Sequence, residues 1–483
     1  MSEIRKLSDM KTQIIISIAG VLPLLAMSSC ESEKKEPMNV VYIMADDLGY
    51  GDLQCYGQQI IQTPNINRMS SEGMRFTQHY AGCTVSAPSR CSLMTGLNTG
   101  HTQVRGNQEI LPEGQYPMKE NTYTLGTLMK SAGYATGMFG KWGLGNPGSV
   151  SVPNNMGFDE FYGYNCQRQA HSYYPNHLWH NGEKVLFPEN ENNAGKTYSQ
   201  DLIHEQALKF IRDHKDQPFF AMLTYTLPHA ELNLPHDSIY EIYENMFKET
   251  PYIGKFNSVR GGGYNTSKKP LASFAAMVSR LDKYVGDVME ELKALGIDKN
   301  TIVIFTSDNG PHHEGGADPD IFKSYGPFRG MKRDVYEGGI RVPMIAWCPK
   351  TIKAGTTTDH ISAFWDVMPT LAELTGTSLS EPTDGISFLP TLLSKKKQQK
   401  QHDYLYWEFH EMKGKQAVRV GDWKLIRQPI VGDLRLELYN LKEDIHEDRN
   451  LSEQYPDKVK ELEFYMDRAR TESPIFNFGR SKK

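Results

Sequence analysis

Upstream of residue 395, short apolar runs rich in β-branched residues alternate with stretches of helical period. That grammar predicts an α/β protein whose large, mainly parallel or mixed central sheet is flanked by helices and buried on both faces. The clearest strand patterns are Val40 to Met44, Ala135 to Phe139, Phe219 to Thr224, Ile302 to Thr306 and Val342 to Trp347. Helical patterns cover Pro64 to Ser71, Thr124 to Ser131, Leu202 to Asp213 and Leu271 to Leu295, with Gly133 placed as a C-terminal stop after the second. Polar residues gather just past the strands. Asp46 and Asp47 follow the first, Lys141 the second, His229 the third, and Asp308 with Asn309 the fourth. In open α/β sheets ligands bind beyond the carboxyl ends of the strands, so four separate segments should deliver polar groups to one edge.

The pattern changes after the charged run Lys395 to Gln401, itself read as a solvated surface loop. Alternating stretches, Ala417 to Ile426 and Leu434 to Leu441, carry the turn signal Gly421-Asp422, and a helical pattern from Pro456 to Arg470 closes the chain. These predict a small C-terminal antiparallel sheet with one helix packed on the main domain. The expected division is a large main domain over 38–394 and a C-terminal α+β subdomain over 395–483. At the other end, Arg5, Lys6 and Lys11 precede the apolar run Ile14 to Ala26, which is short for a membrane span and ends in Ser28 and Ser29 before Cys30. Residues 1–30 therefore read as an export signal and 31–37 as a tether.

A chain of 483 residues can hold one large domain with a smaller appendage. Its net charge of −5 gives no basic footprint for neutralising phosphates, and nucleic acid is set aside as a partner. Past Cys30, five cysteines remain, an odd number without the CxxC spacing of a zinc site.

Candidate chemistry centres on Ser86-Ala87-Pro88-Ser89-Arg90-Cys91-Ser92-Leu93-Met94-Thr95-Gly96. A serine before x-Pro ordinarily caps a helix, and Pro88 suits a helix start; the same place favours an anion. Arg90 falls one turn beyond Ser86 on the same side. Adjacent carboxylates such as Asp46 and Asp47 repel each other unless a cation neutralises them, and Asp308 with Asn309 supplies a matching oxygen pair. An isolated Asp-Asp pair is usually a turn or cap. Here both pairs follow apolar strands, and the hard oxygen set favours calcium, with magnesium second, over zinc or copper.

The serine segment resembles the signature of the formylglycine-dependent type I sulfatases, of the alkaline phosphatase superfamily. In that family a Cys or Ser followed by x-Pro-Ser-Arg and a downstream Leu-x-Thr-Gly is oxidised to formylglycine. Ala45-Asp46-Asp47-Leu48-Gly49-Tyr50-Gly51 and Thr306-Ser307-Asp308-Asn309-Gly310 resemble its metal-binding segments. The resemblance implies a metal site of Asp46, Asp47, Ser86, Asp308 and Asn309, and sulfate-binding roles for Lys141 and Lys332. It also implies that His229 protonates the leaving alcohol, while Arg90, on the nucleophile's side of its helix, can bind the hydrate of Ser86 or the metal-bound anion. Glu337-Gly338-Gly339-Ile340-Arg341-Val342-Pro343 matches a further hallmark, read as scaffold. Oxidation has a chemical reason. A serine sulfate would be another stable ester, whereas a hydrated aldehyde attacks sulfur with one hydroxyl and expels sulfate when the other is deprotonated.

Further implications are a serine-type, anaerobic maturase as partner, and lipidation of Cys30, which stands like a lipobox cysteine and would anchor an exported enzyme to the bacterial envelope. One position departs from the pattern. Many relatives carry a histidine two residues after the equivalent of Lys141, where this chain has Gly143; His312 and His313 are the nearby substitutes, with His313 preferred. The stretches Tyr164 to Pro175 and Tyr406 to His410 mix aromatic and polar side chains, as sugar sites do. They look similar to those of carbohydrate sulfatases acting on galactose or N-acetylgalactosamine sulfates of glycosaminoglycan, mucin or algal glycan, with the 4-position suggested. Arg168, His171, Glu408 and His410 are the candidate sugar contacts. Competing readings are a phosphomonoesterase or phosphodiesterase of the same superfamily, and a glycan-binding lipoprotein without catalysis.

Overall fold

The strand Asn39–Asp46 is buried at every residue, and its side chains divide between two cores. Val41, Ile43 and Ala45 enter one, with residues of the helices Ser199–Asp213 and Pro270–Ala294. Val40, Tyr42 and Met44 enter the other, with residues of Ser86–Thr95, Leu125–Ser131 and Val367–Thr375. Alternation on a pleated strand sends neighbours to opposite faces, so a continuous apolar run is what a sheet covered on both sides requires. The computed structural model describes residues 37–193, 195–254 and 263–478. Signal, tether and Cys30 lie outside the described residues, apart from Pro37.

The large sheet runs in the order Thr356–Thr358, Met74–Tyr80, Arg341–Trp347, Thr301–Ser307, Asn39–Asp46, Phe219–Pro228, Ala135–Lys141, Glu160–Tyr164, His177–His180, Glu183–Leu186. Its five strands from Thr301–Ser307 to Glu160–Tyr164 are parallel. Arg341–Trp347 runs antiparallel to both neighbours, so the sheet is mixed. Register sets the site. Ala45 pairs with Ser307, Asp46 with Pro228, and Lys141 with Tyr164, which brings the polar residues past four strands to one edge. The helix Leu125–Ser131 starts at Thr124, whose Oγ1 accepts from Thr127 N, and Gly133 follows it at φ +83°.

A second, four-stranded antiparallel sheet orders Leu405–Phe409, Lys415–Val420, Trp423–Gln428 and Arg435–Asn440. One face packs Val418, Leu425 and Leu438 on Val459, Leu462 and Met466 of the helix Pro456–Arg468. The other sets Trp407, Ala417 and Ile426 against Tyr80, Val85 and Trp365 of the larger part. Residues 395–398 are exposed, as a solvated charged run should be. Among the described residues all five cysteines are free.

Candidate active site

Ser86 is the first residue of its helix rather than the cap; Val85 precedes it and makes no side-chain cap. The orphan amide of Ala87 is satisfied instead by Asn107 Oδ1 at 3.1 Å. That frees the Ser86 hydroxyl, which donates to Asp46 Oδ1 at 3.1 Å and lies 3.5 Å from Asn309 Oδ1. Asp47 turns the chain at φ +63°, a conformation tolerated by Asp better than by most residues. Its amide donates to Asp308 Oδ1 at 3.1 Å, and Asn309 Nδ2 donates to Asp47 Oδ1 at 2.7 Å. Two strand ends are thereby locked together, with Asp46, Asp47, Asp308 and Asn309 all buried.

Three cations meet these acids. Arg90 donates through Nε and Nη2 to Asp308 Oδ2, at 3.1 and 2.9 Å, and through Nη1 to Lys141 O at 2.7 Å. Lys141 Nζ pairs with Asp46 Oδ2. Lys332 Nζ pairs with Asp47 Oδ2 at 2.7 Å and with Glu314 Oε2 at 3.2 Å. Burial and then the nearby Asp46 push the Asp308 carboxyl up to about 7. Burial acts the same way on Asp46, but the permanent charges of Lys141 and Arg90 outweigh it and hold that carboxyl well below the usual range. The crowded acids thus have a use for further positive charge. Carboxylate and carboxamide oxygens around the Ser86 hydroxyl form a hard donor set that fits a hard divalent cation. Ligand atoms of Asp46, Asp47 and His229 lie within 4.8 Å of one another.

His229 is buried, with Nδ1 on Ala230 O and Nε2 at 3.1 Å from Lys332 Nζ and 3.3 Å from Asp47 Oδ2. A carbonyl at Nδ1 and an ammonium at Nε2 assign the proton to Nδ1. Burial, reinforced by Lys332, pushes the ring's pKa well below its usual value, so it rests neutral. His171, a candidate sugar contact, stacks on the His229 ring with centroids 4.8 Å apart, beside Tyr264 at 5.4 Å.

The structure gathers Ser86, Arg90, Lys141, His229, Lys332, Asp46, Asp47, Asp308, Asn309 and His171 at this edge. Other candidates stand differently. His312 has both ring nitrogens on backbone, accepting from Glu314 N at 3.1 Å and facing Pro228 O at 3.2 Å. His313 is exposed, its Nδ1 3.3 Å from Met331 Sδ. Arg168 pairs with Glu109 where both are partly open to solvent. Glu408 is fully buried and already holds Arg105, Arg470, Tyr406 and His410 at 2.8–3.0 Å. It anchors side chains inside the protein, and His410, stacked on Phe478 at 4.3 Å, belongs to the same cluster. Sequence reasoning missed Glu314, Tyr264 and Asn107. Only Glu314 carried a signal, through its place two residues after His312.

The family described as Sulfatase matches residues 38–377, and N-sulphoglucosamine sulphohydrolase, C-terminal, matches 326–472. An N-acetylgalactosamine-6-O-sulfatase of Bacteroides thetaiotaomicron is 28% identical over 94% of this chain and 99% of its own. The N-acetylgalactosamine-6-sulfatase of Rattus norvegicus is 32% identical over 79% of this chain and 70% of its own. The crystal structure of Ps i-CgsB in complex with k-i-k-neocarrahexaose aligns at TM-score 0.73 and 27% identity, covering 90% of this chain and 92% of that one. The chain belongs to the sulfatase family, as a type I sulfatase of the alkaline phosphatase superfamily and hence a sulfuric ester hydrolase.

Proposed function

We propose that this carbohydrate sulfatase uses Ser86, oxidised to formylglycine, as its nucleophile, with calcium held by Asp46, Asp47, Asp308 and Asn309. The observation that carries the reading is the free Ser86 hydroxyl, turned from its helix end toward the Asp46 carboxylate at 3.1 Å. The hydrated aldehyde would supply two hydroxyls on one carbon, one to attack sulfur and one whose deprotonation releases sulfate, and bound calcium would neutralise the carboxylates and polarise the sulfate. Arg90, braced on Asp308 and on the Lys141 carbonyl, holds the nucleophile's side of the site. Lys141 beside Asp46 and Lys332 beside Asp47 supply positive charge that would attract the sulfate anion. His229 Nε2 accepts from the Lys332 ammonium at 3.1 Å, so a proton passed from Lys332 to Nε2 can go on to the departing sugar oxygen.

The saccharide is read as a galactose or N-acetylgalactosamine sulfate. Both N-acetylgalactosamine relatives carry the 6-position in their names, which favours a 6-sulfate over the 4-sulfate suggested by the aromatic stretches. Export, a lipid anchor at Cys30 and an anaerobic-type maturase complete the proposal on the strength of the N-terminal pattern and the serine signature. The test is the mass of the tryptic peptide from Phe76 to Arg90, taken from protein matured in an anaerobic bacterial host with its own maturase. Loss of two hydrogens at Ser86, together with sulfate release from N-acetylgalactosamine 6-sulfate, is the expected result. Turnover by protein whose Ser86 is wholly unmodified would end the mechanism.

A further inference from the structure

The segment 165–171 bridges the stretch after Lys141 and the stretch after His229. At its start, Gly143 N donates to Asn165 O at 3.1 Å, two residues past Lys141. At its end, Glu231 N donates to His171 O at 3.2 Å, and the His171 ring stacks on His229. Within this bridge Gln167 is only 7% exposed, and its Nε2 is buried with no hydrogen-bond partner among the described residues. The same carboxamide fills the space in front of Gly143. A Cβ added at Gly143 would stand 3.1 Å from Gln167 Cγ and 3.2 Å from Nε2, and the backbone there, at φ +78°, favours glycine. Position 143, where many relatives carry a histidine, thus presents no side chain, and the Gln167 carboxamide lies against it.

Buried amides that have lost water almost always find a partner, and one left without a partner weakens the fold that carries it. A group built to hydrogen-bond a substrate has that property in the empty protein and loses it when the ligand arrives. We infer that Gln167 is a specificity-determining residue whose Nε2 donates to an oxygen of the bound sulfated sugar, in the space beside Gly143 and Lys141. The inference rests on the sugar-sulfatase reading above. The acceptor is either a sulfate oxygen or an oxygen of the sugar, and the experiment separates them.

Gln167→Met keeps the side-chain length and removes the donor. Because that donor has no partner in the protein, the variant should melt at or above the wild-type temperature. Calorimetric binding of N-acetylgalactosamine 6-sulfate, measured in a Ser86→Ala background to prevent turnover, should weaken about tenfold on Gln167→Met. In the matured enzyme, a parallel rise in KM for p-nitrophenyl sulfate places the acceptor on the sulfate, and an unchanged KM places it on the sugar. Equal saccharide affinity with and without Gln167 overturns the inference and leaves the sulfatase reading standing, as does a drop in melting temperature with affinity unchanged. If the matured enzyme cleaves p-nitrophenyl sulfate but Ser86→Ala protein binds no sulfated galactose or N-acetylgalactosamine, the sugar reading falls and the Gln167 assignment falls with it.

Discussion

The Ser86 hydroxyl points 3.1 Å to Asp46 Oδ1 and leaves the capping of its own helix to Asn107, which accepts from Ala87 N at 3.1 Å. A capping serine replaced by alanine costs on the order of 1 kcal/mol, and the buried hydrogen bond that Ser86 makes to Asp46 instead is worth roughly 0.5–1.5 kcal/mol. Ser86→Ala should therefore lower the urea midpoint only modestly while sulfate release disappears. Retained turnover would remove Ser86 from the chemistry, and a large fall in midpoint would make it structural.

Asp308 joins two duties, accepting from Arg90 at 2.9 Å and from the Asp47 amide at 3.1 Å at the heart of the oxygen set. Asp308→Asn keeps the shape but removes a charge that a divalent ion needs. Elemental analysis should find about one calcium per wild-type chain and far less in the variant. Calcium at a hundredfold its Kd should raise wild-type stability by about 2.7 kcal/mol, and the variant should lack this response. An equal response in both proteins would dismiss Asp308 as a ligand.

His229 rests neutral between Lys332 and Asp47. Its proposed service is to the leaving oxygen, so its worth depends on how badly that oxygen needs a proton. His229→Ala should lower kcat on a sugar sulfate by about 10²–10⁴ and lower it much less on p-nitrophenyl sulfate, whose phenolate leaves unaided. Equal losses on both substrates would assign His229 to positioning.

Much of this was legible in the sequence because the signals are local. A continuous apolar run ending in Asp46-Asp47 or Asp308-Asn309 marks a two-sided strand with polar residues at its carboxyl end, and registers such as Asp46 with Pro228 bring those residues to one edge. The strand Met74–Tyr80 escaped notice because its burial alternates irregularly and its partner Arg341–Trp347 lies far along the chain. The antiparallel direction of that partner has no sequence mark at all. Glu408 looked like a sugar contact for its aromatic company. Its true partners, Arg105 and Arg470, come from segments whose approach only the fold defines.

Glu408 accordingly offers a stability test rather than a binding one. Removing one member of a buried charge cluster leaves the others without compensation and costs about 3–5 kcal/mol. Glu408→Ala should lower the denaturation midpoint on that scale, whereas the KM of the folded fraction for sulfated sugar should move little. A variant with wild-type stability and a tenfold higher KM would restore Glu408 to the substrate site.

His402 gives the stability of this enzyme a dependence on pH that is separate from catalysis. Its Nε2 lies 2.7 Å from Asp366 Oδ1, and Asp366 also accepts from Ala363 N and Ile386 N at 2.8 Å, so the carboxylate is fixed and fully buried. Burial opposes a charge on the imidazole, but Asp366 outweighs it and raises the ring's pKa above its ordinary value of 6.5. A histidine bound more tightly to its proton in the folded state stabilises fully below the unfolded pKa, and the contribution is lost as pH rises through the higher folded value. Wild-type protein should therefore melt well above His402→Gln at pH 5.5, with the gap narrowing steadily toward pH 9. A gap that stays constant across this range would mean that the ring contributes as a neutral hydrogen-bond donor, and the charged pair would have to be abandoned.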